Sequence, residues 1–229
     1  MARKQAEMLE KIRDFGELIV RLEAYRENII HSSTWPVFGT VMSSGTLIIW
    51  VIYLISANNF LWSLIAVPSI VAILLYGWIH EKYSPKYFQE RSWIMLFTFG
   101  IPIFALYMVG SLLLNLINAS DVLMGYFYSS ISWYIALGLG MLLTGLTVER
   151  NTVKQRHLVF NSTLMVGVLL LLTSPLLIAL PLFLREIDVL PIIGGLLSLS
   201  LMLIMFLIGY LICLERAHTV LMGAKNEQQ

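Results

Sequence analysis

Long apolar runs without a charged residue alternate with short polar stretches along most of the chain. The runs cover residues 35–56, 60–79, 93–117, 122–147, 162–184 and 189–214. A helix needs about 20 residues to cross the hydrocarbon core of a bilayer, and each run is about that long. No run alternates with a period of two, and backbone groups in lipid must be satisfied within the segment, so each run predicts a helix. The expected fold class is an all-α membrane bundle of about six transmembrane helices.

The connections between the runs differ in charge. Basic residues cluster on alternate connections, at Lys82, Lys86 and Arg91, then Arg150, Lys154 and Arg156, and finally Arg216 and Lys225. Arg185 is the one Lys or Arg on the opposite side of the bundle. An excess of Lys and Arg marks cytoplasmic loops, so both termini are predicted to be cytoplasmic. The expected location is the plasma membrane.

This pattern divides the chain into three parts. Residues 1–34 predict a cytoplasmic amphipathic helix, residues 35–214 the six-span bundle and residues 215–229 a short polar tail. Three of the connections begin with a Glu followed by a basic residue, at Glu81-Lys82, Glu149-Arg150 and Glu215-Arg216, with intervals of 68 and 66 residues. This spacing is typical either of three duplicated helical hairpins or of ordinary charges that flank every span.

The first 34 residues carry an apolar stripe with heptad spacing. This stripe, the seam, comprises Met8, Ile12, Phe15, Ile19, Leu22 and Ile29, with Arg26 in the slot before the last residue. Such spacing predicts a coiled-coil-like helix. The segment holds six basic and six acidic residues. Attraction to anionic lipid is therefore absent, which favours a protein partner or a second copy over the membrane surface or the protein's own loops.

Composition excludes several kinds of chemistry. Charged residues make up 13% of the chain and the net charge is +1, so nothing indicates nucleic acid. The single cysteine, Cys213, has no internal disulfide partner, and no metal-ligand spacing occurs. The predicted spans contain no Asp, Glu, Lys, Arg or His. Haem ligation, intramembrane proteolysis and proton relays all need such residues at depth, so no cofactor or metal is predicted.

Two further groups of residues are candidates for function. Hydroxyl and amide side chains inside the spans could line a pathway for a neutral solute, or could simply pack helices, and they are Ser43, Ser44, Asn115 and Ser130. The loops around His80 and His157, which include Glu149, could form a cytoplasmic pocket or merely carry flanking charge. Residues 161–163 match a glycosylation acceptor but fall on the cytoplasmic side.

These observations favour a non-catalytic membrane protein that acts by binding, as an accessory, scaffolding or regulatory subunit. Its partner-binding element would be the seam, and its partners the lipid bilayer and either another protein or a second copy of the chain. One alternative is a channel, permease or substrate-binding transport subunit for a neutral or lipophilic solute. The other is a lipid-modifying enzyme with a site on the cytoplasmic face.

Overall fold

The all-helical prediction is confirmed for the part of the chain that the computed structural model describes. That part is residues 2–56, 67–83, 122–155, 158–184 and 189–226, with isolated positions at 100, 105, 109 and 112. Within these residues every regular element is a helix and no strand occurs.

The longest helices lie at the two ends of the chain. The elements are α1 (Ala2–Ser56), α2 (Val67–Tyr83), α3 (Val122–Thr144), a π-helical turn called the π-turn (Gly145–Glu149), α4 (Arg150–Lys154), α5 (Ser162–Ile178), α6 (Leu180–Leu184) and α7 (Leu190–Asn226). Helix α1 crosses the predicted boundary at residue 34 without a break.

Three helical stretches are long and apolar enough to cross a membrane, namely Met124–Lys154, Ser162–Leu184 and Leu190–Thr219. They overlap the predicted spans 122–147, 162–184 and 189–214, and the first and third extend beyond them to Lys154 and Thr219. The predicted count of six spans is not confirmed. The run 35–56 is helical within α1, and residues 67–79 of the run 60–79 are helical within α2, while residues 60–66 lie outside the described residues. Nearly all of the run 93–117 lies outside the described residues.

Glycines allow the central helices of the bundle to approach closely. A Cβ on Gly167 of α5 would lie 2.5 Å from the backbone nitrogen of Leu142 in α3. The same holds between α1 and α2, where a Cβ on Gly45 would lie 2.6 Å from Cγ of Pro68. Such contacts exclude any larger residue unless the backbone moves. The glycines therefore set the helix spacing around the core.

Helices α1, α3, α5 and α7 share one hydrophobic core. Its buried side chains include Trp35, Phe127, Tyr134, Leu170 and Phe206. The aromatic rings connect helices that are distant in sequence, because the Trp35 ring lies 6.0 Å from that of Phe206 and 6.3 Å from that of Tyr76. Burial of this surface fixes the second half of α1 against the bundle.

Candidate functional site

A fully buried carboxylate, that of Glu149, lies at the end of the π-turn. Its Oε1 accepts hydrogen bonds from the backbone nitrogen of Ser162 at 3.0 Å and from the Ser162 hydroxyl at 3.1 Å. Its Oε2 accepts from the backbone nitrogen of Thr163 at 2.8 Å. Ser162 and Thr163 are the first two residues of α5, whose amides have no acceptor within their own helix. Glu149 therefore supplies the anion that the positive end of α5 stabilises.

Asn161 completes this helix end as the N-cap of α5. Its Oδ1 accepts from the backbone nitrogen of Leu164 at 2.9 Å, so side chains satisfy the first three amides of the helix. Its Nδ2 donates to the carbonyl oxygen of Gly145 at 2.7 Å, at the start of the π-turn. The π-turn and the start of α5 are thus joined twice, because Glu149 accepts from the amides of α5 and Asn161 donates to the carbonyl of Gly145. Gly145 permits the contact, since a Cβ there would lie 2.5 Å from the Leu164 Cα.

His31 of α1 reaches the same carboxylate. Its Nε2 lies 3.2 Å from Oε1 of Glu149 and 3.3 Å from the Thr163 hydroxyl, and the ring is buried. Because a carboxylate only accepts, the contact requires a proton on Nε2. The edge-on packing of Trp35, with ring centroids 5.8 Å apart, holds the imidazole in place.

Asn28, one helical turn before His31, adds a second link. Its Oδ1 accepts from the backbone nitrogen of Phe160 at 3.1 Å, and its Nδ2 donates to the carbonyl of Ala24 at 3.3 Å. The Cys213 sulfur of α7 lies 3.7 Å from the same Oδ1. Asn28, His31, Glu149, Asn161, Ser162 and Thr163 together form what we call the polar cluster. It joins α1, the π-turn and the start of α5, and the contact of Asn28 with Cys213 links it to α7.

The polar cluster contains a histidine, a carboxylate and hydroxyls, the kinds of group that form a catalytic triad, but in a different arrangement. In a triad the carboxylate binds one ring nitrogen and the nucleophile the other. Here the same Nε2 of His31 faces both Glu149 and Thr163. All three side chains are also buried. Among the described residues no group of His, Cys, Asp and Glu is arranged to hold a metal. The polar cluster is therefore arranged to connect helices to one another.

The seam lies in a contrasting environment. Met8, Ile12 and Phe15 are 65%, 60% and 65% exposed, and Ile19 and Leu22 are also exposed. Ile29 alone is half-buried. Every described side chain from residue 5 to residue 20 is exposed, and among the described residues the ion pairs of this end of α1 stay within the helix. It projects from the bundle as an uncovered apolar surface.

The three described residues of the predicted solute pathway, Ser43, Ser44 and Ser130, differ in exposure. Ser43 is buried and donates to the carbonyl of Leu199 in α7 at 3.5 Å, whereas the neighbouring Ser44 is exposed and bonds Thr40 of its own helix. Ser130 bonds the carbonyl of Phe127 in its own turn. Asn115 lies outside the described residues. The hydroxyls that the structure describes satisfy helix backbone, and the pathway stays a prediction.

The three Glu–basic pairs occupy different environments. Glu81 and Glu215 are exposed, but Glu149 is 0% exposed, so the interpretation of Glu149 as a flanking loop charge was wrong. The side chains of His80 and His157, on which the loop pocket depends, lie outside the described residues. Residues 161–163 form a helix start at the polar cluster, although their sequence resembles a glycosylation acceptor.

Sequence reasoning missed the pairing of His31 with Glu149. The available signal was a second stripe on α1, at Asn28, His31 and Trp35, with spacing of three and four residues. Comparison of the chain with protein-family models, curated proteins and solved structures gave no match. The function must therefore be inferred from the geometry of the seam and of the polar cluster.

Proposed function

We propose that this chain is a non-catalytic membrane protein that acts by binding, as an accessory, scaffolding or regulatory subunit. The observation that carries the proposal is the exposure of the seam on a helix that is continuous with the buried bundle. Large apolar surface on a soluble part of a protein generally marks a binding site. The seam presents Ile12, Phe15 and Ile19 at the spacing by which one helix packs against another.

A protein partner fits the seam better than the membrane surface does. The charges of residues 1–34 balance, so anionic lipid would gain nothing from them electrostatically. In addition, α1 is one continuous helix, so the seam lies on the same axis as the part of α1 that packs into the bundle. In this proposal both termini lie on the cytoplasmic side of the plasma membrane, and six spans anchor the binding helix.

The polar cluster supports the same role. A binding helix transmits force to its membrane anchor only if it is fixed to it, and His31 and Asn28 provide two such attachments. Both are buried, so water does not compete with them. The cluster makes the seam and the bundle one mechanical unit, as a scaffold requires.

The test is to replace Ile12, Ile19 and Leu22 together by Asp and to measure particle mass in native lipid particles. Asp at these exposed positions should abolish the complex while the bundle still unfolds at the same temperature. The matched control replaces Glu10, Glu17 and Arg21, on the polar side of the same helix, by Gln and should keep the complex. A complex that survives the Asp substitutions would overturn the proposal.

A further inference from the structure

The seam faces away from the protein's own bundle. In the heptad register that places Ile12 and Ile19 at positions a, the d positions are Met8, Phe15 and Leu22. Between residues 24 and 35 the buried residues fall at b, c and f, with Ser32 at g as the exception, and those at b, c and f are Ala24, Glu27, Asn28, His31, Thr34 and Trp35. Positions b, c and f lie opposite a and d. One side of α1 therefore binds its own bundle and the other is presented outward without any rearrangement.

The outward face continues along α1 beyond the seam. Ser44 follows Met8 by 36 residues, about ten turns of an α-helix, and so lies on the same side. Thr40, Ser44 and Ile48 on this side are all exposed. The hydroxyls of Thr40 and Ser44 bond carbonyls of their own helix at 2.7 and 2.6 Å, which leaves two small side chains on the surface. Small residues four apart let membrane helices approach closely.

We propose that the occupant of this face is a second copy of the same chain, aligned parallel and in register along α1. The inference rests on the proposed function and names its partner. Two copies inserted in one membrane have the same orientation, so their N-terminal helices project on the same side. Each seam residue then meets its own counterpart.

The chemistry of the seam suits two parallel helices. Isoleucine occupies the a positions Ile12 and Ile19, and leucine occupies one of the three d positions, Leu22; isoleucine at a with leucine at d favours two strands over three or four. At the flanking g and e positions Lys11 would face Gly16 and Leu18 would face Glu23 across the two copies, so no like charges meet at these flanking positions. Arg26, which occupies the slot before Ile29, donates a hydrogen bond to the carbonyl of Tyr83 in α2 at 3.2 Å, so its guanidinium is bound to the chain's own bundle.

Site-directed disulfide formation tests the proposal on the purified full chain in liposomes. The background carries Cys213→Ser, which removes the single native cysteine. Single cysteines are then placed on the outward face by Phe15→Cys, Leu22→Cys and Ser44→Cys. The controls are Glu17→Cys on the polar side of α1 and Leu172→Cys, which is 70% exposed on α5. Oxidation uses copper–phenanthroline, and the readout is the disulfide-linked dimer fraction.

The expected result is a dimer fraction several-fold higher on the outward face than at either control, lost when Ile12→Asp and Ile19→Asp are added to Phe15→Cys. Equal fractions at all positions would indicate random collision and overturn the proposal. Monomers in liposomes, with a different protein bound in native membranes and released by the Asp substitutions, would overturn the second copy but leave the proposed function standing. Absence of any complex in either setting would overturn both.

Discussion

The seam lies on α1 next to the α1 residues of the polar cluster. The seam exposes apolar side chains, whereas the polar cluster buries polar ones. Leu22, an exposed apolar side chain, and His31, a buried polar one, are only nine positions apart. Each departs from the usual placement, in which apolar side chains are inside and polar ones outside. The cluster tolerates burial because its polar atoms bond one another, and the seam tolerates exposure because α1 holds it away from the bundle. The comparison shows that hydropathy alone locates neither region.

The largest effect is expected at the centre of the polar cluster. Glu149→Ala removes the acceptor of three hydrogen bonds and of His31, and loss of one partner from a buried pair typically costs about 3–5 kcal/mol. The free energy of unfolding should fall by that order in mixed micelles with a rising fraction of SDS. Glu215→Ala, at the exposed Glu of another Glu–basic pair, is the control and should change it little. Equal losses for both variants would show that the burial of Glu149 contributes nothing.

Replacing glycine by alanine should change stability in opposite directions in the two regions. Gly145→Ala places a Cβ 2.5 Å from the backbone of Leu164 and should destabilise the bundle by about 1–3 kcal/mol. Gly16→Ala in the seam segment meets no atom within 4 Å and should stabilise that helix by up to about 1 kcal/mol. Unfolding in SDS measures the first and circular dichroism on heating the second. Destabilisation by both would mean that the seam segment is packed.

The His31–Glu149 contact should appear as a coupling between the two residues. In a cycle of His31→Gln, Glu149→Gln and the double variant, residues in contact typically couple by about 0.5–3 kcal/mol. The same cycle with Arg13 and Glu149 joins residues of the exposed and buried regions and should show additive effects. Additivity in the His31 cycle would contradict the geometry, which brings Nε2 to 3.2 Å from Oε1.

The smallest effect on the bundle is expected from the seam. Ile12→Asn changes a side chain that is 60% exposed, so the free energy of unfolding should stay within about 0.5 kcal/mol of its original value. A drop comparable with that of Gly145→Ala would place the seam inside the folded core and remove the contrast between the two regions.

Local pattern predicted the helices well because their signal is contained within each segment. The uncharged runs 122–147, 162–184 and 189–214 predicted helices that the structure contains. The seam followed from heptad spacing, and its residues do lie along one exposed side of α1 as far as Leu22. Each of these predictions needed only the periodicity of neighbouring residues.

The polar cluster could not be predicted because its signal is spread over the chain. Glu149 and His31 are 118 residues apart in sequence, and each looks like a charge at the end of a span. The π-turn displaces Glu149 by one residue in the helical register, and nothing in Gly145–Glu149 announces it. Asn161 was ambiguous because a helix N-cap and a glycosylation acceptor use the same side chain. Tertiary packing decided each case.

Residues 17–35 of α1 contain no Gly or Pro, so this part of the helix is stiff. Gly16 and Pro36, which flank it, are the points at which α1 bends more easily. A rotation of α1 that begins at the seam would therefore reach His31, about 14 Å beyond Leu22, before it reached Pro36. Such a rotation would move the His31 imidazole away from the Glu149 carboxylate. The nitrogen chemical shifts of the His31 ring would then change. An unchanged shift on cross-linking through Phe15→Cys would show that the rotation stops short of the cluster.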